Sequence, residues 1–202
     1  HAPPRLTRAA MQARLSARDL ACRRGERLLF RKLTLDLGPG DMLHVRGPNG
    51  VGKTSLMRIL AGLARPFAGE VERTGEVGLV DGRHALDLDR ELGDAMRFWA
   101  RLDGAGDPTS AMERLGVDAL ADIPTGYLST GQKQRAVIAR LLLRPRAIWL
   151  LDEPFAGLDT ASQALLADLI AEHCGNGGLC LYVSHQPVDL PARVLDLAEY
   201  AA

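Results

Sequence analysis

The sequence predicts an α/β fold in which a mostly parallel sheet is covered by helices. Three observations carry that prediction. Strand-like and helix-like stretches alternate along most of the 202 residues,. The run Ala147-Ile148-Trp149-Leu150-Leu151 is apolar throughout, without alternation, as in a strand buried on both faces,. A glycine-rich turn at 47–52 joins a strand-like stretch to a helix-like one, the usual setting of a phosphate loop,.

The elements follow in order. Met42–Arg46 reads as a short strand entering the glycine-rich turn. From Gly52 onward Leu56, Met57, Ile59, Leu60 and Leu63 recur at helical spacing, and Pro66 and Gly69 close that unit,. Val77–Val80 is a second short apolar strand. Residues 83–127 change texture, rich in Ala, Leu, Arg and Asp with Phe98, Trp99, Leu115 and Leu120 as apolar anchors. A mostly helical insertion is expected there. It continues into a helix beginning near Ser129, with Val137, Ile138, Leu141 and Leu142 on one face. Ser129 and Gln132 have the spacing of a capping box,. Strand Ile148–Leu151, helix Thr160–Glu172, strand Leu179–Val183 and an apolar piece at Val194–Leu197 complete the chain. Because strands of one sheet flank it, the insertion at roughly 83–143 is read as a subdomain of a single domain spanning 11–202. Residues 1–10 precede the first methionine, Met11, and are read as an added or disordered N-terminal piece.

Composition narrows the function. Lys and Arg total 25 and Asp and Glu total 25, a zero balance that argues against a protein built to coat nucleic acid,. Residues 1–35 nevertheless hold nine Arg and Lys against Asp19 and Glu26. That edge is either anion- or membrane-facing or simply a solvated surface. Cys22, Cys174 and Cys180 form no C-x-x-C pair, which fits spare buried thiols in a reducing compartment,. No apolar run approaches the ~20 residues that span a bilayer. A cytosolic soluble chain is expected.

Two motifs carry phosphate chemistry. Gly47-Pro48-Asn49-Gly50-Val51-Gly52-Lys53-Thr54 matches G-x-x-x-x-G-K-[ST] in full,. Its glycines let successive backbone N–H groups wrap a triphosphate, and the helix N-terminus adds positive potential. Lys53 then reaches the β- and γ-phosphates, and the Thr54 hydroxyl ligates Mg²⁺. The second motif is the buried strand ending in Asp152-Glu153. Asp152 would hold Mg²⁺ from the side opposite Thr54, and Glu153 would orient and polarise an attacking water. Paired carboxylates at a strand end are often only solvated charges. The phosphate loop upstream is what gives this pair a chemical reading.

A third motif, Leu128-Ser129-Thr130-Gly131-Gln132, stands 23 residues before Asp152. It is another helix N-terminus, whose Ser129 hydroxyl and Gly131 amide can present donors to a phosphate. Alone it reads as an ordinary capped helix. In this order the three motifs resemble those of ATP-binding cassette (ABC) ATPases, with Thr130 in place of one glycine of L-S-G-G-Q. The resemblance spans roughly residues 14–198. It implies a P-loop NTPase core with a mostly parallel sheet, a small antiparallel β part and an inserted helical subdomain. It also implies ATP and Mg²⁺ as cofactors and Gly47 to Ser55 around the triphosphate. Two chains would sandwich two ATP molecules, with Ser129, Gly131 and Gln132 facing the partner's γ-phosphate. Gly157-Leu158-Asp159 resembles the family's D-loop, so Asp159 would meet the partner's phosphate loop. His185, 32 residues beyond Glu153, resembles the switch histidine that contacts the γ-phosphate.

The chain departs from the family in two places. Where an aromatic residue normally stacks on adenine it reads Cys22-Arg23-Arg24-Gly25. Arg24, or Arg23, would stack its planar guanidinium instead, with weaker base selectivity. Where the family has the Q-loop glutamine, Asp81 and Gly82 stand, with His84 or Asp81 as the substitute. Within the family, Met96 to Leu102, Trp149 to Phe155 and Ser184 to Pro187 resemble the haem-exporter ATPases of c-type cytochrome maturation. That resemblance implies a homodimer docked on separate integral membrane subunits at the cytoplasmic face of the bacterial inner membrane. No direct haem binding is expected, because His44, His84 and His173 lack a Cys-x-x-Cys-His context,. Phe98 and Trp99 are read either as the docking contact or as packing of the subdomain. A small importer ATPase and a soluble non-transport ABC ATPase are the alternatives.

Overall fold

The structure, a computed structural model, describes residues 13–82 and 86–202. The readings placed on residues 1–10 and on His84 lie outside the described residues. Five strands form a parallel sheet in the order β5-β6-β7-β3-β8. They are β3 (Met42–Arg46), β5 (Val77–Val80), β6 (Ile148–Asp152), β7 (Leu179–Val183) and β8 (Arg193–Asp196). Every residue of β6 and β7 is buried. Their side chains alternate between two cores. Ile148, Leu150, Leu179 and Leu181 join one cluster, whereas Trp149, Leu151, Cys180 and Tyr182 join the other. This two-faced burial is why the strands read as unbroken apolar runs.

The first core lies under a separate three-stranded antiparallel sheet of order β2-β1-β4. Its strands are β1 (Arg14–Arg24), β2 (Arg27–Leu37) and β4 (Ala68–Thr74). Helix α1 (Lys53–Leu60) buries Leu56, Met57, Ile59 and Leu60 in the same core. Between β5 and β6 run α2 (Leu92–Leu102), α3 (Thr109–Arg114) and α4 (Thr130–Leu141). With α5 (Thr160–Gly175), α2, α3 and α4 supply buried residues to the second core. All three cysteines are free and buried. Burial pushes the Cys174 thiol up to about 12 and raises that of Cys180 as well.

Two expectations need correction. The helix after the phosphate loop stops at Leu60 and does not include Leu63, which is 61% exposed. Gly62 turns the chain there with φ +80, a left-handed conformation that ends a helix at no steric cost,. Of the insertion's expected apolar anchors, Leu115 is buried and Leu120 packs against the second core, but Phe98 is not an anchor. Leu92, Ala95, Met96, Met112 and Val117 are buried, whereas Phe98 is 42% exposed. Trp99 packs under Arg140, whose guanidinium carbon stands 3.2 Å from the ring centroid.

The topology places the functional segments. The phosphate loop leaves β3, Asp81 follows β5, Glu153 follows β6, and Ser184-His185 follows β7. In a parallel sheet these are all carboxyl ends, so the four turns gather along one edge, where α/β folds bind ligands.

Candidate active site

The phosphate loop is shaped by its glycines and fixed by Lys53. Gly52 adopts φ +115 as the residue preceding α1, and no side chain caps that helix. A Cβ at Gly52 would also stand 3.0 Å from Cδ1 of Phe30, so only glycine lets β2 pack beneath the loop,. The N–H groups of the first helical turn have no acceptor within the helix. Lys53, 9% exposed, donates through Nζ to the carbonyls of Gly47 at 2.7 Å and Pro48 at 3.2 Å. Val51 is buried and ties the loop to the core beneath.

Asp152 ends β6 and is 8% exposed, with no ion-pair partner among the described residues. Glu153 follows in a left-handed conformation, φ +51, which a non-glycine residue adopts at a cost of about 1–3 kcal/mol,. Its N–H donates to the Val183 carbonyl at 3.0 Å, which holds the strained residue against β7. Its Oε2 accepts from the His185 N–H at 3.3 Å. Its Oε1 is buried and has no hydrogen bond among the described residues; Nε2 of His185 stands 3.4 Å away. A carboxylate held this way keeps one oxygen to accept a proton.

The switch turn has its own supports. Ser184 Oγ donates to the Gln186 carbonyl at 3.1 Å and accepts the Gln186 N–H at 3.0 Å. His44 Nε2 bonds the Ser184 carbonyl at 3.0 Å, and Arg46 Nε donates to His44 Nδ1 at 3.2 Å. These partners require the neutral ring with its proton on Nε2. Burial lowers the His44 pKa, in agreement. Gln163 Nε2 donates to the Leu158 carbonyl at 2.9 Å and to Gln186 Oε1 at 3.1 Å, joining the D-loop to the switch turn.

A cleft of about 560 Å³ brings most of the expected residues together. Asn49, Gly50, Gly52, Lys53, Thr54 and Ser55 line it from the loop and α1. Asp152, Glu153 and His185 line it from the sheet edge, and Arg24 from the end of β1. Gly47, Pro48 and Val51 serve the loop without lining this cleft. Arg27 and Leu29, which the sequence reading did not single out, also line it. Arg27 pairs with Arg24 across the β1–β2 hairpin, while Arg23 stacks over Phe67 at 4.6 Å. Asp81 lines an adjoining cavity with Thr54, Asp152 and Glu153. The ladder explains its position, since Val80 pairs with Leu151 one residue before Asp152.

The Thr54 hydroxyl and the buried, ion-unpaired Asp152 carboxylate share that cleft. Such oxygen donors suit a hard divalent cation that takes its other ligands from phosphate and water. Among the described residues no group of three or more His, Cys, Asp or Glu side chains is arranged to hold a metal unaided.

Ser129, Gly131, Gln132 and Asp159 do not line the cleft. Ser129 Oγ accepts the Gln132 N–H at 3.2 Å, and Gln132 Oε1 accepts the Ser129 N–H at 2.8 Å, completing the capping box. Gly131 packs against the D-loop so closely that a Cβ there would stand 2.6 Å from the Gly157 carbonyl oxygen. Asp159 caps α5 by accepting the Ser162 N–H at 2.8 Å, and that bond holds its carboxyl below the usual range. Ser129 and Asp159 are both exposed. The turn at 128–132 and the loop at 157–159 thus form one surface, separate from the chain's own cleft.

Of the histidines weighed for haem, the two among the described residues, His44 and His173, have packing roles. His44 stacks on Tyr182 with centroids 4.7 Å apart. His173 lies flat on Trp149 at 4.0 Å, and burial pushes its pKa down to about 4.

Comparison with known proteins agrees with this geometry. The model of the ABC transporter family matches residues 30–156. The cytochrome c biogenesis ATP-binding export protein CcmA of Novosphingobium aromaticivorans is 51% identical over 184 residues, covering 91% of this chain and 94% of the relative. The protein of the same name from Zymomonas mobilis is 45% identical, covering 94% of this chain and 87% of the relative. A metal-chelate type ABC transporter solved in an inward-facing conformation superposes with a TM-score of 0.78 at 28% identity, covering 92% of this chain and 80% of that one. An ABC transporter ATP-binding protein of Pyrococcus furiosus, with a TM-score of 0.80 at 22% identity over 94% of this chain and all of that one, shows the shared fold. Among the described residues no helix is long and apolar enough to cross a membrane. The chain belongs to the ABC transporter family, as an ATP-hydrolysing subunit akin to the CcmA proteins.

Proposed function

We propose that this chain powers haem export in c-type cytochrome biogenesis. It acts as a homodimer docked on separate integral membrane subunits at the cytoplasmic face of the inner membrane. The names of its CcmA relatives support the pathway. The observation that carries the chemistry is the single cleft shared by Lys53, Thr54, Asp152, Glu153 and His185.

Lys53 and the first-turn amides of α1 bind the β- and γ-phosphates of ATP. Thr54 and Asp152 would hold Mg²⁺, which when bound would offset the phosphate charge. Glu153 Oε1 accepts a proton from water as the water oxygen bonds to the γ-phosphorus. The bond from that phosphorus to the bridging oxygen breaks, and ADP leaves with its electron pair. His185 contacts the γ-phosphate and keeps Glu153 in place through its own N–H. Arg24 covers the base with a cationic plane, which weakens selectivity for adenine. Ser129, Gly131 and Gln132 of a second copy complete the γ-phosphate site. Asp159 meets the second copy's phosphate loop.

The test is haem staining of periplasmic c-type cytochromes in a deletion strain, complemented with wild type or Glu153→Gln. Covalent haem restored by wild type alone is the expected result. Cytochromes untouched by the deletion would overturn the haem pathway while leaving the ATPase family in place.

A further inference from the structure

A second cavity, of about 370 Å³, lies behind the phosphate loop. Arg46 and Gly47 at the end of β3 form one side of it, and the turn Ser184 to Pro187 forms the other. Lys53 and His185 line both this cavity and the nucleotide cleft, so they form the wall between the two. No carboxylate among the described residues lines it. Arg46 uses Nε on His44 Nδ1 and makes no ion pair among the described residues. Its remaining guanidinium N–H groups form a fork suited to oxyanions. Asp196, its ladder partner on β8, directs Oδ1 to the Ala198 N–H.

We propose that this cavity receives the inorganic phosphate released by hydrolysis. The inference rests on reading the cleft as the ATPase site. Hydrolysis leaves the phosphate, carrying the oxygen of the attacking water, beside Lys53 and His185. ADP stays on the cleft side of that wall. The far side offers a guanidinium, an ammonium and an imidazole, the chemistry that holds a tetrahedral oxyanion. The Glu153 carboxylate that faces His185 Nε2 lines the cleft rather than this cavity. Arg46 is then a product-binding residue that draws phosphate away from ADP.

The test is steady-state ATP hydrolysis by the full chain with inorganic phosphate as inhibitor, comparing wild type with Arg46→Glu and Arg46→Lys. Loss of one charge-assisted hydrogen bond predicts that Arg46→Glu weakens phosphate inhibition by about tenfold or more. The KM for ATP stays near the wild-type value, and Arg46→Lys retains most of the inhibition. Should Arg46→Glu fail to fold, Arg46→Met carries the same expectation. Inhibition unchanged in the charge-loss variant, or no inhibition of wild type, overturns the proposal alone. A KM that rises in step with the inhibition constant also overturns it, by placing Arg46 in the nucleotide cleft. No ATP turnover by wild type would overturn the ATPase reading itself, and this proposal with it.

Discussion

Two helix N-termini in this molecule are finished in opposite ways. Helix α1 follows Gly52, whose left-handed backbone carries no side chain to cap it. Helix α4 follows Ser129, and the Ser129–Gln132 box satisfies donors at both ends of its first turn. A cap of that kind contributes about 1 kcal/mol, and α1 forgoes it. Burial of Leu56, Met57, Ile59 and Leu60 stabilises α1 instead, while its first residues line the nucleotide cleft. The uncapped helix leaves its first-turn amides without a side-chain cap. The capped helix is locally self-sufficient, and its Ser129 lies exposed on a surface apart from the cleft. Helix α5 is a third case, capped by the Asp159 carboxylate on the same surface as Ser129. On the function proposed above, the difference separates a terminus assigned to its own chain's nucleotide from termini assigned to another copy.

The largest expected effect tests the uncapped end. Lys53→Ala removes the proposed phosphate ligand together with the two carbonyl contacts that fix the loop. ATP affinity, measured by isothermal titration, should fall by about a hundredfold or more, as expected for lost charge-assisted bonds. Near wild-type affinity would break the assignment of α1 as the phosphate-binding terminus. A smaller effect sharpens the view of α5. The Ser162 N–H lowers the Asp159 pKa, so the fold favours the carboxylate. The resulting stability is fully present above the ordinary value near ~4 and is lost as pH falls through the lower, folded value. Asp159→Asn keeps an acceptor oxygen and removes the titration. The difference in urea midpoint between wild type and variant should be level above pH ~4 and shift against wild type below it. A difference that does not change with pH would show that the cap carries no charge-dependent stability.

The sequence announced the parallel sheet and the cleft more clearly than the antiparallel sheet. Strands β6 and β7 read as unbroken apolar runs because both faces are buried, and the capping box at Ser129 was legible from two residues. Strands β1 and β2 were not legible. Their register shifts between Ala17 and Leu20 and again near Cys22, and Asp19 and Lys32 have positive φ. Such bulges break the two-residue alternation on which a strand reading depends. Strand β4 offers no apolar signal, since only Val71 is partly buried. The missed cleft residues Arg27 and Leu29 follow from the same gap, because only the β1–β2 hairpin carries them to the loop. Its two-residue turn, Gly25-Glu26, was the available clue. Phe98 misled in the other direction: its ring looked like an anchor, but the flexible thioether of Met96 fills the buried position,.

The central claim is that Ser129 completes the cleft of a second copy. Sedimentation of Glu153→Gln with ATP tests it most directly, because slowed hydrolysis should preserve the closed pair. The account predicts an ATP-dependent dimer that the added substitution Ser129→Arg abolishes without loss of ATP binding by the monomer. A Glu153→Gln protein that binds ATP and stays monomeric, or a dimer that survives Ser129→Arg, would contradict it.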